Sequence, residues 1–208
     1  MPKKEAPIET LQTYLPAGTY EIILNYLRQH KVHLTVAKKR NSILGDYRHK
    51  TNYTNHRISV NGNLNPYSFF VTLLHELAHL LTFEQFGNRV QSHGKEWKTI
   101  YSQLLDHFLK NKLFPADIEN ELLRSIRNPA ASSCAEDHLI RVLRKYDAVK
   151  SHLSLLEEVP TSSQFRIQDG RIFIKGMKLR KRFKCKEVSS GREYLFSPVY
   201  EVEVVNSE

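Results

Sequence analysis

Between Thr72 and Leu81 the chain reads Thr-Leu-Leu-His-Glu-Leu-Ala-His-Leu-Leu, and this stretch constrains the fold more than any other. On a helix, residues four apart lie one turn above each other, so His75 and His79 project their imidazoles from one face. At that separation two ring nitrogens can share one tetrahedral Zn2+. Glu76 is turned by about 100° from His75. It sits beside such an ion rather than on it, where a carboxylate can take a proton from a metal-bound water. Leu73, Leu74, Leu77, Leu80 and Leu81 bury the helix, so three polar residues at its heart need partners.

A catalytic zinc takes three protein ligands and keeps one position open. Gln85 stands where an HExxHxxGxxH enzyme carries its third histidine, so that class is excluded. His93, in Gln91-Ser92-His93-Gly94-Lys95-Glu96-Trp97, is the better candidate. The intervening chain can leave the helix, turn at Gly87 and return, and Gly94 permits close backbone approach just before the next helix. Glu96 is the alternative third ligand, since carboxylates also bind zinc.

The flanking patterns give an α+β fold class. Leu11, Tyr14 and Leu15, then Ile22, Ile23, Tyr26 and Leu27, are spaced for two short helices broken around Pro16 and Gly18. Val32–Val36, Ser42–Lys50 and His56–Val60 read as a small antiparallel β meander packed with the His-Glu helix. Asn65-Pro66 caps and opens that helix, and Gly87 ends it. Lys95–Leu109 and Pro115–Ile126 are further helices. Ser133 to Glu136 has the form of a capping box. Behind it Leu139, Val142, Tyr146, Val149, Leu153 and Leu156 form a helical seam. Pro160–Ser163 is the expected linker, dividing a domain over 1–160 from a basic β module over 161–208. In that module Phe165–Ile167, Ile172–Ile174, Arg182–Lys186, Tyr194–Phe196 and Tyr200–Val205 form a small antiparallel sheet.

Lys and Arg exceed Asp and Glu by 31 to 22, a net charge of +9 that favours an anionic partner without naming one. Two cysteines, Cys134 and Cys185, support neither a disulfide framework nor a four-thiolate zinc site. No apolar run follows the basic start of the chain, and the richest apolar segment is interrupted by His75, Glu76 and His79. The expectation is a cytoplasmic protein without a membrane partner. From Arg171 to Lys186 eight basic residues occur with no acidic one, interleaved with Phe173 and Phe183. Arg180, Lys181, Arg182 and Lys184 are the candidate nucleic-acid contacts, and DNA the candidate partner. Alternation along the strands favours a core position for Phe173 and Phe183.

The segment HELAHLLTFEQFGNRVQSHGKEWK resembles the active-site segment of SprT-like zinc metallopeptidases, the group that includes Spartan-type proteases. Ile43–Arg48 and Arg57–Asn61 resemble that family's β-hairpin, and the likeness is best over residues 15 to 110. It implies one catalytic Zn2+ held by His75, His79 and His93, with Glu76 as general base. It further implies a metalloendopeptidase acting on protein or peptide substrates, including DNA-associated proteins in the Spartan branch. Members of the family often end in a zinc ribbon. Here Cys185 alone could fill such a position in the 161–208 region, so the module is expected to be metal-free. The alternative from another class is a non-enzymatic nucleic-acid-binding protein with a structural zinc site. A zinc hydrolase of non-protein substrates would use the same machinery.

Overall fold

The computed structural model describes residues 7–40, 42–127, 129–130, 136–148 and 152–205. The chain divides into two compact units, Met1–Tyr146 and Asp147–Glu208, both within an α+β fold.

The first unit is built around one buried helix. After a 3-10 turn over Ile8–Tyr14 come α1 (Tyr20–Gln29), β1 (His33–Ala37), β2 (Gly45–Arg48) and β3 (Arg57–Asn61). Helix α2 (Pro66–Phe86) follows, then α3 (Lys95–Lys110), α4 (Ala116–Ser125) and α5 (Asp137–Leu143). Asn65 Oδ1 accepts the Ser68 N–H at 2.9 Å and caps α2. Pro66 occupies the first helical position, where its missing N–H costs nothing. At the other end Gly87 takes φ +62°, a left-handed conformation that favours glycine, and its N–H reaches Phe83 O at 2.7 Å.

Helix α2 is apolar on all sides, which suits a central rather than a surface helix. Phe69, Phe70, Leu73, Leu74, Leu77 and Leu80 are fully buried. Around them pack Ile23 and Leu27 of α1, Ile58 and Val60 of β3, Leu105 and Phe108 of α3, and Ile118 and Leu122 of α4. Each such side chain contributes about 1.5–3 kcal/mol when withdrawn from water, so the helix carrying His75 and His79 is among the most firmly held elements.

The three-stranded sheet differs from the expected meander. Its order is β1-β3-β2, with β1 parallel and β2 antiparallel to β3. Strand β3 takes the centre because it is the one whose apolar residues, Ile58 and Val60, are both buried. Strand β1, half-exposed along its length, is left at an edge. The helical seam is also shorter than expected. It ends at Leu143 and passes into a 3-10 turn over Arg144–Tyr146. Val149 and the expected cap Ser133 lie outside the described residues, and Leu156 is claimed by a different core.

That core belongs to the second unit. Strands β4 (Ser154–Leu155), β5 (Gln164–Arg166), β6 (Ile172–Leu179), β7 (Arg182–Glu187), β8 (Glu193–Phe196) and β9 (Glu201–Val205) form one antiparallel sheet in the order β4-β9-β5-β6-β7-β8. Leu156, Phe165, Phe173, Phe183, Cys185 and Val202 form its apolar cluster. Pro160–Ser163, expected as a linker, is a turn inside this unit, with Ser162 N donating to Lys175 O at 2.8 Å. Among the described residues no helix is long and apolar enough to cross a membrane.

Candidate metal centre

His75 and His79 leave α2 one turn apart, and the loop after Gly87 brings His93 to the same point. His75 Nε2 lies 3.2 Å from His79 Nε2 and 3.2 Å from His93 Nε2. The three residues offer ring nitrogens that all lie within 4.8 Å of one another and could hold a metal ion. Two nitrogens each about 2.0–2.1 Å from one tetrahedral zinc would stand about 3.3–3.4 Å apart, so the donor set fits that ion. Glu96, the alternative third ligand, is not part of the group.

The surroundings keep these imidazoles neutral, as metal ligation requires. Burial, reinforced by His79 and His93, pulls His75 down to about 3. Burial and the neighbouring His93 pull His79 down to about 4. His93 is lowered by burial and then by the Lys98 ammonium. Beneath them lies Trp97, fully buried, whose ring centroid is 4.6, 5.2 and 4.8 Å from those of His75, His79 and His93. Tyr101 stacks on the indole, with ring centroids 5.0 Å apart. Trp97 is thus core, and it forms the floor of the centre. Nothing in the one-letter pattern around it announced that role.

Glu76 is 4 % exposed, and its carboxylate accepts no hydrogen bond among the described residues. Burial, then the Asp46 carboxylate, pushes it up to about 8, against a smaller opposing pull from Arg40. A buried, unpaired carboxylate is costly, and such groups concentrate at functional sites. The β2 backbone flanks it at Gly45, and the next residue is tied down. Asp46 accepts from Arg40 Nη1 at 2.5 Å and from the Ser59 hydroxyl.

Three tyrosines could serve an oxyanion, and of these Tyr47 pairs its hydroxyl with His56 Nδ1 at 2.8 Å. Tyr101 is buried against Trp97 and His75, and Tyr53 is almost wholly exposed. Sequence reasoning missed a polar chain behind Tyr47. His56 Nε2 lies 3.5 Å from Glu84 Oε1, whose other oxygen meets His30 Nδ1 at 2.6 Å. The three residues are far apart in sequence, and no spacing rule links them.

Residues 18–119 match the SprT-like family model. The chain carries a SprT-like domain. Curated proteins named Protein SprT are similar to it over short segments. That of Glaesserella parasuis is 61% identical over 31 residues, 15% of this chain and 19% of the relative. That of Pseudomonas putida is 52% identical over 29 residues, 14% and 18% of the two chains. That of Yersinia pestis is 61% identical over 31 residues, 15% and 18%. The chain therefore aligns with under a fifth of the length of these relatives. No solved structure matches it. The SprT-like segment takes in the whole three-histidine group and Glu76, together with α1 to α3 and the sheet.

The candidate nucleic-acid residues lie in the second unit, outside the SprT-like segment. Arg180 and Lys181 form the turn between β6 and β7, and Arg182 and Lys184 face solvent on β7. Lys184 pairs with Glu193 at 2.8 Å. Lys175, one of the eight cations of this stretch, is instead 4 % exposed. Phe173 and Phe183 are buried in the sheet core, so the aromatic residues interleaved with the cations are not a stacking platform.

Proposed function

We propose that the SprT-like domain is a zinc-dependent metallopeptidase in which His75, His79 and His93 hold the ion and Glu76 is the general base. The observation that carries this reading is the convergence of three neutral imidazoles at 3.2 Å spacings beside a buried carboxylate with no hydrogen-bond partner among the described residues. Zinc bound there would supply a Lewis acid that makes water acidic near neutral pH and polarises a carbonyl. Glu76 takes the proton from the attacking water on its carboxylate and returns it to the leaving amine. A base with a pKa near the working pH does both well, and burial holds Glu76 near that range. The apolar packing of α2 and the Trp97 floor hold His75, His79 and Glu76 in place, which preorganises the site.

The test is Glu76→Gln in the full chain. Zinc content, measured by native mass spectrometry, should stay at one ion per chain. Cleavage of a denatured protein should fall by about 10²–10⁴-fold, the usual contribution of a positioned general base. Undiminished cleavage by this variant, or a wild-type chain that binds zinc and cleaves no polypeptide, refutes the reading.

For the second unit, the exposed cations at the β6–β7 turn support phosphate contact by Arg180, Lys181, Arg182 and Lys184, with DNA as the partner. With the aromatic rings turned inward, this contact would be electrostatic and indifferent to base identity.

A further inference from the structure

Beside His93 a cleft of about 690 Å³ opens between the solvent face of α3 and the segment that follows α4. His93 and Gly94 line one end of it, and Ile126, Arg127 and Pro129 form the far wall. We propose that this cleft is an anion-selective subsite that seats an acidic side chain of the polypeptide substrate. The inference rests on the hydrolase reading for the word substrate, and its test reads binding separately from cleavage.

Three cations from two elements line the cleft: Lys95 and Lys98 on α3, and Arg127 opposite. The wall's carboxylate, Asp106, pairs with Lys110 at 2.5 Å, so three lining cations face a single acid that already has a partner. Ser102 Oγ donates to Ile126 O at 2.8 Å and ties the two walls together, which gives the cleft a fixed width. Lys95 and Lys98 stand in the first turn of α3, where the positive end of a helix disfavours cations. Glu96 stands in the same turn, so the cleft's preference for an anion comes from its three lining cations and not from the helix end.

Contiguity with His93 decides which anion. A chain whose scissile bond lies at the three-histidine group passes its neighbouring side chains into this cleft. The volume is that of an ordinary ligand pocket, and the apolar Ile126 and Pro129 suit a side-chain stem. Nucleic-acid backbones are instead tracked by extended cationic grooves with exposed stacking rings, which this recess lacks among its lining residues.

The experiment uses two labelled peptides of one sequence, differing only in glutamate or glutamine, and a third carrying lysine there. Binding is measured with the zinc-loaded Glu76→Gln full chain at low salt. The glutamate peptide should bind about tenfold more tightly than the glutamine peptide, as one charge-assisted contact provides. In the same background Lys95→Glu with Arg127→Glu should reverse the preference toward the lysine peptide. Reversal is a gain that a merely damaged fold would not produce. An acid at Lys95 also suits the helix start, and Lys95→Gln with Arg127→Gln should erase the preference if the charge-reversed variant is unstable. Equal binding of the glutamate and glutamine peptides, no binding of either, or an acid preference that survives both variants overturns the subsite. So does a single-stranded oligonucleotide whose affinity, unlike the peptides', collapses on charge reversal. Cleavage of the same peptides by the wild-type chain then separates the two readings. Acid-selective binding without hydrolysis keeps the subsite and removes the peptidase, whereas hydrolysis without selectivity does the opposite.

Discussion

Gly45 lies flat against Glu76: a Cβ placed on the glycine would stand 2.8 Å from the carboxylate Oε1 and 2.8 Å from Thr72 Cγ2. Both neighbours sit on a helix that is packed on every side and cannot retreat. Gly45→Ala should therefore displace the Glu76 carboxylate while leaving the three imidazoles in place. Peptide hydrolysis should fall by about tenfold or more, since misplacement of a catalytic group by about 1 Å can cost up to about 100-fold. Zinc stoichiometry should be unchanged. Full activity in the alanine variant would show that the close approach does not position Glu76.

Trp97 is the single tryptophan of the chain, and its ring packs against all three histidines. Titration of the metal-free protein with Zn2+ should shift its fluorescence, and Co2+ should quench it, each saturating at one ion. His93→Ala should weaken this response by removing one of three donors. Fluorescence that ignores both ions would place the metal elsewhere.

The metal-free first unit should be most stable near pH 6.5. His75 and His79, held at about 3 and about 4, return to about 6.5 on unfolding, and Glu76 drops from about 8 to about 4.3. Between about pH 4.5 and 6.5 the unfolded chain gains two protons on the histidines and lacks one on the glutamate, so stability rises with pH. Between about pH 6.5 and 8 the glutamate alone differs, the native state holds the extra proton, and stability falls. Each limb has a slope of about 1.4 kcal/mol per pH unit. His56 and His93, both lowered by burial, steepen the acid limb. Melting followed by Trp97 fluorescence in the presence of a chelator measures this profile. Glu76→Gln should flatten the alkaline side; a wild-type melting temperature that climbs steadily to pH 8 contradicts the assignment.

In the second unit Lys175 is a structural cation. Its Nζ donates to Glu157 O at 3.2 Å and Val159 O at 2.5 Å, and lies 4.1 Å from the Phe183 ring centroid. Lys175→Met keeps the apolar stem but removes the donor from the buried Val159 carbonyl and the part-buried Glu157 carbonyl. The expected loss is about 1–3 kcal/mol, the cost of leaving buried polar groups unsatisfied. Amide hydrogen exchange along β6 and β7 should quicken accordingly, and unchanged protection would mean water replaces the ammonium at no cost.

Neutralising Lys181 and Arg182 should weaken DNA binding and flatten its dependence on salt, by about one unit of log–log slope for each phosphate that no longer meets a cation. Binding that is insensitive to salt, or identical in the variant, removes the turn from the interface.

The α2 helix was legible because its signals agree: an Asn-Pro start, a glycine stop, and an apolar pattern between them. His75, Glu76 and His79 inherit their geometry from that helix, so their grouping followed from spacing alone. His93 required a further physical premise, that two imidazoles leave a zinc incomplete. Strand order was not legible, since alternation records which residues are half-buried and not which strand lies beside which. The β1–β3 parallel pairing depends on where the chain crosses. Leu156 shows the same limit, because its three-four spacing fits a helix while the sheet core at Asp147–Glu208 offers it better burial. The cleft beside His93 draws on Lys95 and Arg127, distant in sequence, and no local pattern couples them.

His75 and His79 ride on a helix of 21 residues, whereas His93 stands in the short connection between Phe86 and α3. Two donors are thus fixed by the core, and the third is fixed by a segment that can open locally at far lower cost. Release of an ion would begin with that one arm swinging clear, leaving a two-point grip that solvent can compete with. The residence time of an ion held there would then be a property of this brief connecting stretch rather than of the melting of the fold.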